Sequence, residues 1–410
     1  MSQFARPRLM LAMVTLVFMV NMLDRQIMGI LLPQIRAEFH LSDAALGLLA
    51  GPAFAIIYAL MGVPLAVLAD RVNRRNLIAA ALALFSAATV ACGMANSFLQ
   101  LLLARFCTGI GEAGTAPAIS AMIADVHPPE RRAGALSVYS AGANVGILLA
   151  FFGGGLIAQA GGWRMALMAA GVPGLVLAAL FLLLVREPVR VAQHRTFNPV
   201  ATLRLLWPQP GFRSLVLGAA LTSISGYAAI TFIPSFLSRS HHMRPVEIGL
   251  TLALTTGVLG FAGTALPGLF ADRRGDAGFG LRICAVAMLI ALPFTATFYL
   301  AGNLTIAIAA LTIPALAATG YLGPCLAAVQ NMATDGMRAQ ATALPLLIIT
   351  LVGLGVGPQI VGIISDILRP QFGEQSLRYA LLFNIVPSSL AALCFWHASH
   401  RLRDSAQPAH

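Results

Sequence analysis

Four charged residues stand where the sequence is otherwise apolar: Asp24 and Arg25 in the run 9–32, and Arg105 and Glu112 in Leu101–Asp125, LLLARFCTGIGEAGTAPAISAMIAD. Arg105 and Glu112 are seven residues apart, two turns of a helix, so their side chains share one face. A charge at the depth of a bilayer core is costly and seldom faces lipid. It lines a cavity, pairs with another charge, or belongs to a proton or solute path. A carboxylate that alternates between dry surroundings and the neighbourhood of a guanidinium can take up and give back a proton. Asp24 and Glu112 are therefore the candidate proton-coupling residues. The plainer alternative for each is a structural carboxylate, satisfied by a helix end or a neighbouring helix. Asp24 and Arg25 are adjacent and diverge by about 100° on a helix, so each needs a partner elsewhere. Arg25 and Arg105 are candidate charge partners, or anion binders through a planar five-donor fork. Pairing of Arg105 with Asp24 or with Glu112 is expected in some state, and spacing leaves the choice open.

The elements that carry these charges follow from composition. The chain has 410 residues, 58% hydrophobic and 10% charged, with a mean hydropathy of +0.83. A soluble domain is about 25% charged. Here the charges sit between apolar runs of about 20 residues, the length that crosses a hydrocarbon core. The expected spans are 9–32, 44–68, 76–96, 99–122, 134–158, 163–185, 213–237, 246–270, 280–300, 304–331, 339–364 and 378–397. The fold expected is an all-α polytopic membrane protein of twelve transmembrane helices in two six-helix halves. The N-terminal bundle is 1–185, a hydrophilic linker is 186–212, and the C-terminal bundle with a short tail is 213–410. A short interfacial helix is expected near Val200–Trp207. The first apolar run continues past Asp24 without a convincing cleavage site, so it reads as a retained helix rather than a signal peptide.

All 26 basic residues are Arg, and the formal charge is +11. Such a charge can indicate nucleic acid, but the Arg residues cluster in alternate loops. They mark topology, and no nucleic-acid partner is expected. Under the positive-inside rule both termini and the linker lie in the cytoplasm, and the membrane is the inner membrane of a bacterial-type cell. The five Cys form no CxxC pair, and His241 and His242 lack acidic or Cys neighbours, so no metal or disulfide is expected. No cofactor is expected. There is no GxxxxGK[ST] sequence, which disfavours ATP drive and leaves the proton gradient as driving force. Gly109-Ile110-Gly111 lies inside an apolar run without the strand and turn of a dinucleotide site.

The halves repeat each other. GVPLAVLADRVNRR at Gly62–Arg75 has a counterpart, GTALPGLFADRRGD, at Gly263–Asp276, about 200 residues on. Parallel repeats related by an axis along the membrane normal suit that offset. The loop charges at these positions suggest a breakable gate of Asp70, Arg71, Arg74, Asp125 and Arg131, with Asp272, Arg273 and Arg338 in the second half; topology alone is the bland alternative. Asp70 is a candidate to meet a helix N-terminus or an Arg. The second half carries few charges within its helices. Its polar groups, with Asn21 and Asn144 from the first half and Tyr227 and Asn331 from the second, are the candidate substrate contacts. An apolar wall there would suit an amphipathic anion.

The twelve spans, the basic linker and the duplicated Gly62…Asp70-Arg71…Arg74-Arg75 loop resemble the major facilitator superfamily, over essentially the whole chain. Asn21-Met22-Leu23-Asp24-Arg25, Gly109-Ile110-Gly111-Glu112-Ala113, Pro117, Asp125 and Pro129-Glu130-Arg131-Arg132 resemble Spinster-like transporters. Much of that pattern also resembles organic-anion:cation symporters. The Spinster resemblance implies a lysophospholipid-like cargo; the other implies a small organic anion or sugar acid. Gly142, Asn144, Gly146 and Gly153–Gly155 resemble the fifth-helix motif of antiporters, without its Gly-Pro step. The expectation is a proton-coupled secondary active transporter of an amphipathic or organic anion, monomeric and working by alternating access. Alternatives are an anion–proton symporter for small acids, a drug or amphiphile exporter and, from another class, an intramembrane lipid enzyme. Ser120, Ser137 and Ser140 have no evident His at membrane depth, which argues against the enzyme.

Overall fold

Polar residues start the helices where the apolar runs begin. In a computed structural model, which describes residues 7–188, 199–260, 262–264, 277–333 and 338–406, the Ser42 side chain accepts from the Ala45 amide and Asn73 from Asn76. Ser97 accepts from Gln100, and Asn303 from Thr305 and Ile306. Each cap satisfies an amide that a helix start leaves free. The first part of the chain forms α1 (Pro7–Phe39), α2 (Asp43–Ala50), α3 (Pro52–Arg71), α4 (Arg74–Gly93), α5 (Phe98–Ala113), α6 (Thr115–Val126), α7 (Pro129–Leu148) and α8 (Gly154–Leu184). Then come α9 (Pro199–Leu206), α10 (Phe212–His241), α11 (Pro245–Leu252), α12 (Ala277–Leu300), α13 (Leu304–Thr319), α14 (Leu322–Met332), α15 (Arg338–Ile348), α16 (Gly355–Phe372), α17 (Ser376–Leu381) and α18 (Ile385–Ala406). No strand occurs among the described residues.

Nine stretches of the described helices are long and apolar enough to cross a membrane. Two are long enough to cross twice. Gly134–Leu184, of 51 residues, is broken at Gly162, where φ is +79°. Pro345–Leu402, of 58 residues, is broken at Gly373, where φ is +56°. Positive φ is open to glycine and strained for most other residues. Helices α5 and α6 meet at Gly114 and are too short singly, at 16 and 12 residues. With these readings the helices are consistent with twelve crossings. Leucines such as Leu60, Leu99 and Leu183 are more than half exposed, as a surface facing hydrocarbon requires.

The described residues fall into two compact units, 1–194 with 243–253 and 195–242 with 254–410. The segment containing α11 belongs with the first because small residues let it approach. A Cβ on Gly155 would sit 2.5 Å from the Pro245 carbonyl oxygen, and one on Gly249 would collide with that of Phe151. Within the first unit, α1 packs on α7 and α8, and α4 on α5 and α8. The α1–α7 contact uses the same device: a Cβ on Gly142 would lie 2.6 Å from the Thr15 carbonyl oxygen, and one on Gly146 would collide with that of Met19. Such contacts let backbones touch where no hydrophobic force draws helices together.

The repeat seen in the sequence recurs in the backbone. A π-helical turn at Leu149–Gly153 separates α7 from α8, and another at Ile349–Leu354 separates α15 from α16, again about 200 residues on. A third π-helical segment, Ala253–Leu259, follows α11. Such turns leave backbone groups unpaired and mark places where a helix bends. Helix α9 occupies the place of the short helix expected in the linker.

The glycine contacts give a stability test on one helix. Gly146→Ala should lower the thermal unfolding midpoint in detergent by several degrees, since overpacking costs about 1–3 kcal/mol. Gly134→Ala, where a Cβ meets open space, should leave it unchanged. Equal midpoints for the two variants would contradict the packing described.

Candidate functional site

The four charged residues singled out in the sequence meet in the first unit. Asp24 and Arg25 come from α1, and Arg105 and Glu112 from α5. Asp24 Oδ2 accepts from Arg105 Nη1 at 3.1 Å, with both side chains almost wholly buried. Asp24 Oδ1 contacts the Thr89 hydroxyl of α4, which also lies 2.8 Å from the Phe85 carbonyl oxygen. Arg105 Nη1 is 3.4 Å from the Thr108 hydroxyl, and Arg105 Nε has no hydrogen-bond partner among the described residues. The second pair is Arg25 with Glu112. Both Nη2, at 2.7 Å, and Nε, at 3.2 Å, donate to Glu112 Oε2. Glu112 is fully buried, and its Oε1 has no hydrogen-bond partner among the described residues. The Arg25 side chain retains 11% exposure.

One ring joins the two pairs. The Arg25 guanidinium carbon lies 4.9 Å and that of Arg105 5.1 Å from the centroid of Phe54. Phe54 is itself buried. It opens the first turn of α3 after the break at Gly51 and Pro52. Tyr58, a turn later, stacks on Phe54 and lies 5.1 Å from Arg25. The negative face of an aromatic ring attracts a cation, more strongly where water is excluded. Glycines on α5 let the surrounding helices close in. A Cβ on Gly109 would be 3.0 Å from the Phe54 carbonyl oxygen, and one on Gly111 2.7 Å from the Phe85 side chain. Two carboxylates and two guanidiniums leave the cluster neutral overall.

Asn21 is buried on α1, one turn before Asp24. Asn144 is half-buried on α7. Tyr227 is half-buried and Asn331 exposed, on α10 and α14 of the second unit.

A second charged cluster forms where α3 and α6 end. Arg74 pairs with Asp125 and lies 3.5 Å from Asp70. Asp70 and Arg71 are exposed, as is Arg131. The carboxylate at the N-terminus of α4 is that of Glu187, just beyond α8. It accepts from the Arg74 and Arg75 amides at 3.0 and 2.8 Å, a favourable place for negative charge. Arg132 donates to the Ala124 and His127 carbonyl oxygens at the end of α6. Asp272, Arg273 and the Arg338 side chain lie outside the described residues. At the opposite end of α1, Glu38 accepts from Trp163 Nε1 at 2.7 Å and pairs with Arg164. Sequence reading passed over Thr89, Phe54, Glu187 and Glu38.

Residues 14–358, most of the chain, match the family model described as Major Facilitator Superfamily. The chain belongs to the major facilitator superfamily. Within that superfamily it is a Spinster-like transporter. Protein spinster homolog 1 of Homo sapiens is 27% identical over 95% of this chain and 80% of its own. A crystal structure of a bacterial homologue of the human lysosomal transporter Spinster, inward-facing and occupied, superposes with a TM-score of 0.87 at 31% identity, covering 98% of this chain and 99% of that one. An MFS-type efflux pump of Mycolicibacterium smegmatis is 35% identical over 95% of this chain and 91% of its own. These relatives are transporters, and this facilitator is a transporter rather than an enzyme.

Burial makes the Asp24–Arg105 pair of this facilitator testable by a double-mutant cycle. Removing one partner from a buried pair costs about 3–5 kcal/mol, largely from the charge left behind. Arg105→Gln should therefore lower the unfolding midpoint more than Asp24→Asn combined with Arg105→Gln. Additive losses, measured by thermal unfolding in detergent, would show that the two do not interact.

Proposed function

We propose that the protein is a proton-coupled secondary active transporter of an amphipathic or small organic anion, working by alternating access. The observation that carries this reading is the pair of buried, interlocked ion pairs, Asp24–Arg105 and Arg25–Glu112. A proton on either carboxylate frees one guanidinium. The Thr89 hydroxyl suits both states of Asp24. It has one proton, which it can donate to the ionised carboxylate. Turned to the Phe85 carbonyl instead, it leaves its oxygen to accept from a protonated Asp24. A proton on Glu112 would release Arg25, the more exposed of the two cations, to a substrate carboxylate or phosphate. Asn21 and Asn144 are proposed as polar substrate contacts on the same unit, and Tyr227 and Asn331 as those of the second.

The cluster of Asp70, Arg71, Arg74, Asp125 and Arg131 is proposed as one breakable gate, with Asp272, Arg273 and Arg338 in the second half. Placing it in the cytoplasm, with both termini, follows from the distribution of Arg between loops. The working unit is proposed to be a monomer in the inner membrane. Lysophospholipid-like lipids are the first candidate cargo, supported by the Spinster relatives. Small organic or sugar acids are the alternative. Export of drug-like amphiphiles is a second reading, favoured by the likeness to the mycobacterial efflux pump.

Proteoliposomes test the coupling. Substrate-dependent proton flux should fall by about tenfold or more in Asp24→Asn or Glu112→Gln, while exchange of substrate across the membrane continues. Coupling unchanged in both folded variants would sink the assignment. Counterflow against lysophospholipids, sugar acids and drug-like amphiphiles, with and without a pH gradient, separates the cargo readings.

A further inference from the structure

The helix α9 and the ends of its neighbours form an exposed surface in the second unit. Thr202 and Leu206 are fully buried on one side of α9, and Leu206 packs in a core cluster with Phe212 and Ala398. The other side exposes Leu203, Arg204, Leu205 and, just beyond, Trp207. Trp207 is 48% exposed, although it is among the largest apolar side chains in the chain. The Arg213 guanidinium lies 5.2 Å from its ring centroid, and Arg213 Nε donates to the Trp207 carbonyl oxygen at 3.1 Å. Arg401 is exposed beside the turn: a Cβ built on Gly211 lies 3.5 Å from that of Arg401.

The position and charge of this surface are selective. Membrane-spanning runs start at Phe212 and end at Leu402, so these residues stand at the level of lipid headgroups. No Asp or Glu occurs between Glu187 and Glu247, nor between Glu374 and Asp404. Among the described residues, Arg204, Arg213 and Arg401 have no carboxylate partner. Three arginines, an interfacial Trp and two half-exposed leucines combine a phosphate-binding surface with an apolar one. Basic residues beside a membrane span attract anionic headgroups, and Trp settles at the interface.

We propose that Arg204, Arg213 and Arg401, with Trp207, bind the phosphate headgroup of an anionic phospholipid, whose acyl chain lies along Leu203 and Leu205. The site is separate from the buried cluster on α1 and α5 and does not depend on the transport reading.

Native mass spectrometry of the full-length protein, with equal amounts of phosphatidylglycerol and phosphatidylcholine, tests it. Phosphatidylglycerol should be retained preferentially. The preference should fall roughly fivefold for each arginine removed, as in Arg213→Gln combined with Arg401→Gln. Arg244→Gln, an exposed cation elsewhere, and Arg25→Gln in the buried cluster should both keep it. Arg204→Gln serves as the second variant should the double variant fail to give a monodisperse protein. Equal retention of the two lipids would overturn the proposal. So would full preference in the arginine variants, or a loss matched by Arg244→Gln, which would reflect overall charge. Loss confined to Arg25→Gln would place the lipid in the transport site and overturn it equally.

Discussion

Four ionised side chains inside an apolar unit are tolerable only as a set. An unpaired charge at that depth is costly, whereas two opposite pairs with added hydrogen bonds offset much of that cost. This requirement explains several otherwise unrelated features. Helix α5 must present Arg105 to Asp24 and Glu112 to Arg25 on α1. The glycines on α5 let α3 and α4 close in beside it, and the helix start at Pro52 brings Phe54 within reach of both guanidiniums. Thr89 on α4 then takes up the second oxygen of Asp24. Removing any member leaves the others with an uncompensated charge, so these helices share one electrostatic constraint.

Further helix interruptions lie in other crossings. The π-helical turns at Leu149–Gly153 and Ile349–Leu354 interrupt the corresponding helix of each repeat, and glycine-dependent breaks lie at Gly162 and Gly373. A helix that is locally underpaired bends there at lower cost than one with a continuous ladder. The charged centre is carried by α1, α4 and α5, and it has breaks of its own at Gly114, two residues past Glu112, and at Gly51–Pro52, just before Phe54.

Much of this was legible in the sequence, because apolar runs of membrane length and charges inside them are strong local signals. The all-helical membrane fold, and the presence of Asp24, Arg25, Arg105 and Glu112 inside apolar helices, follow from that. Which charge meets which was not legible. Arg25 reaches across 87 residues to Glu112, and Arg105 across 81 to Asp24, so the pairing depends on helix packing rather than spacing. Thr89 and Phe54 gave no signal, since threonines and phenylalanines are ordinary occupants of apolar helices. Glu187 falls in the hydrophilic linker, and its contact with the start of α4 depends on α8 ending beside that turn. The charges of the second repeat's loop carried a clear sequence signal, but Asp272 and Arg273 lie outside the described residues.

The shared ring of Phe54 adds a consequence to the pairing. Each guanidinium is paired with a carboxylate and also lies over the ring of Phe54, whose negative face attracts a cation. A proton arriving on Glu112 weakens the hold on Arg25, and any shift of Arg25 changes what the ring offers Arg105. The Asp24–Arg105 and Arg25–Glu112 pairs are thus joined through the ring of Phe54. In a dry surrounding such coupling is stronger than it would be in water, because little solvent is present to screen it.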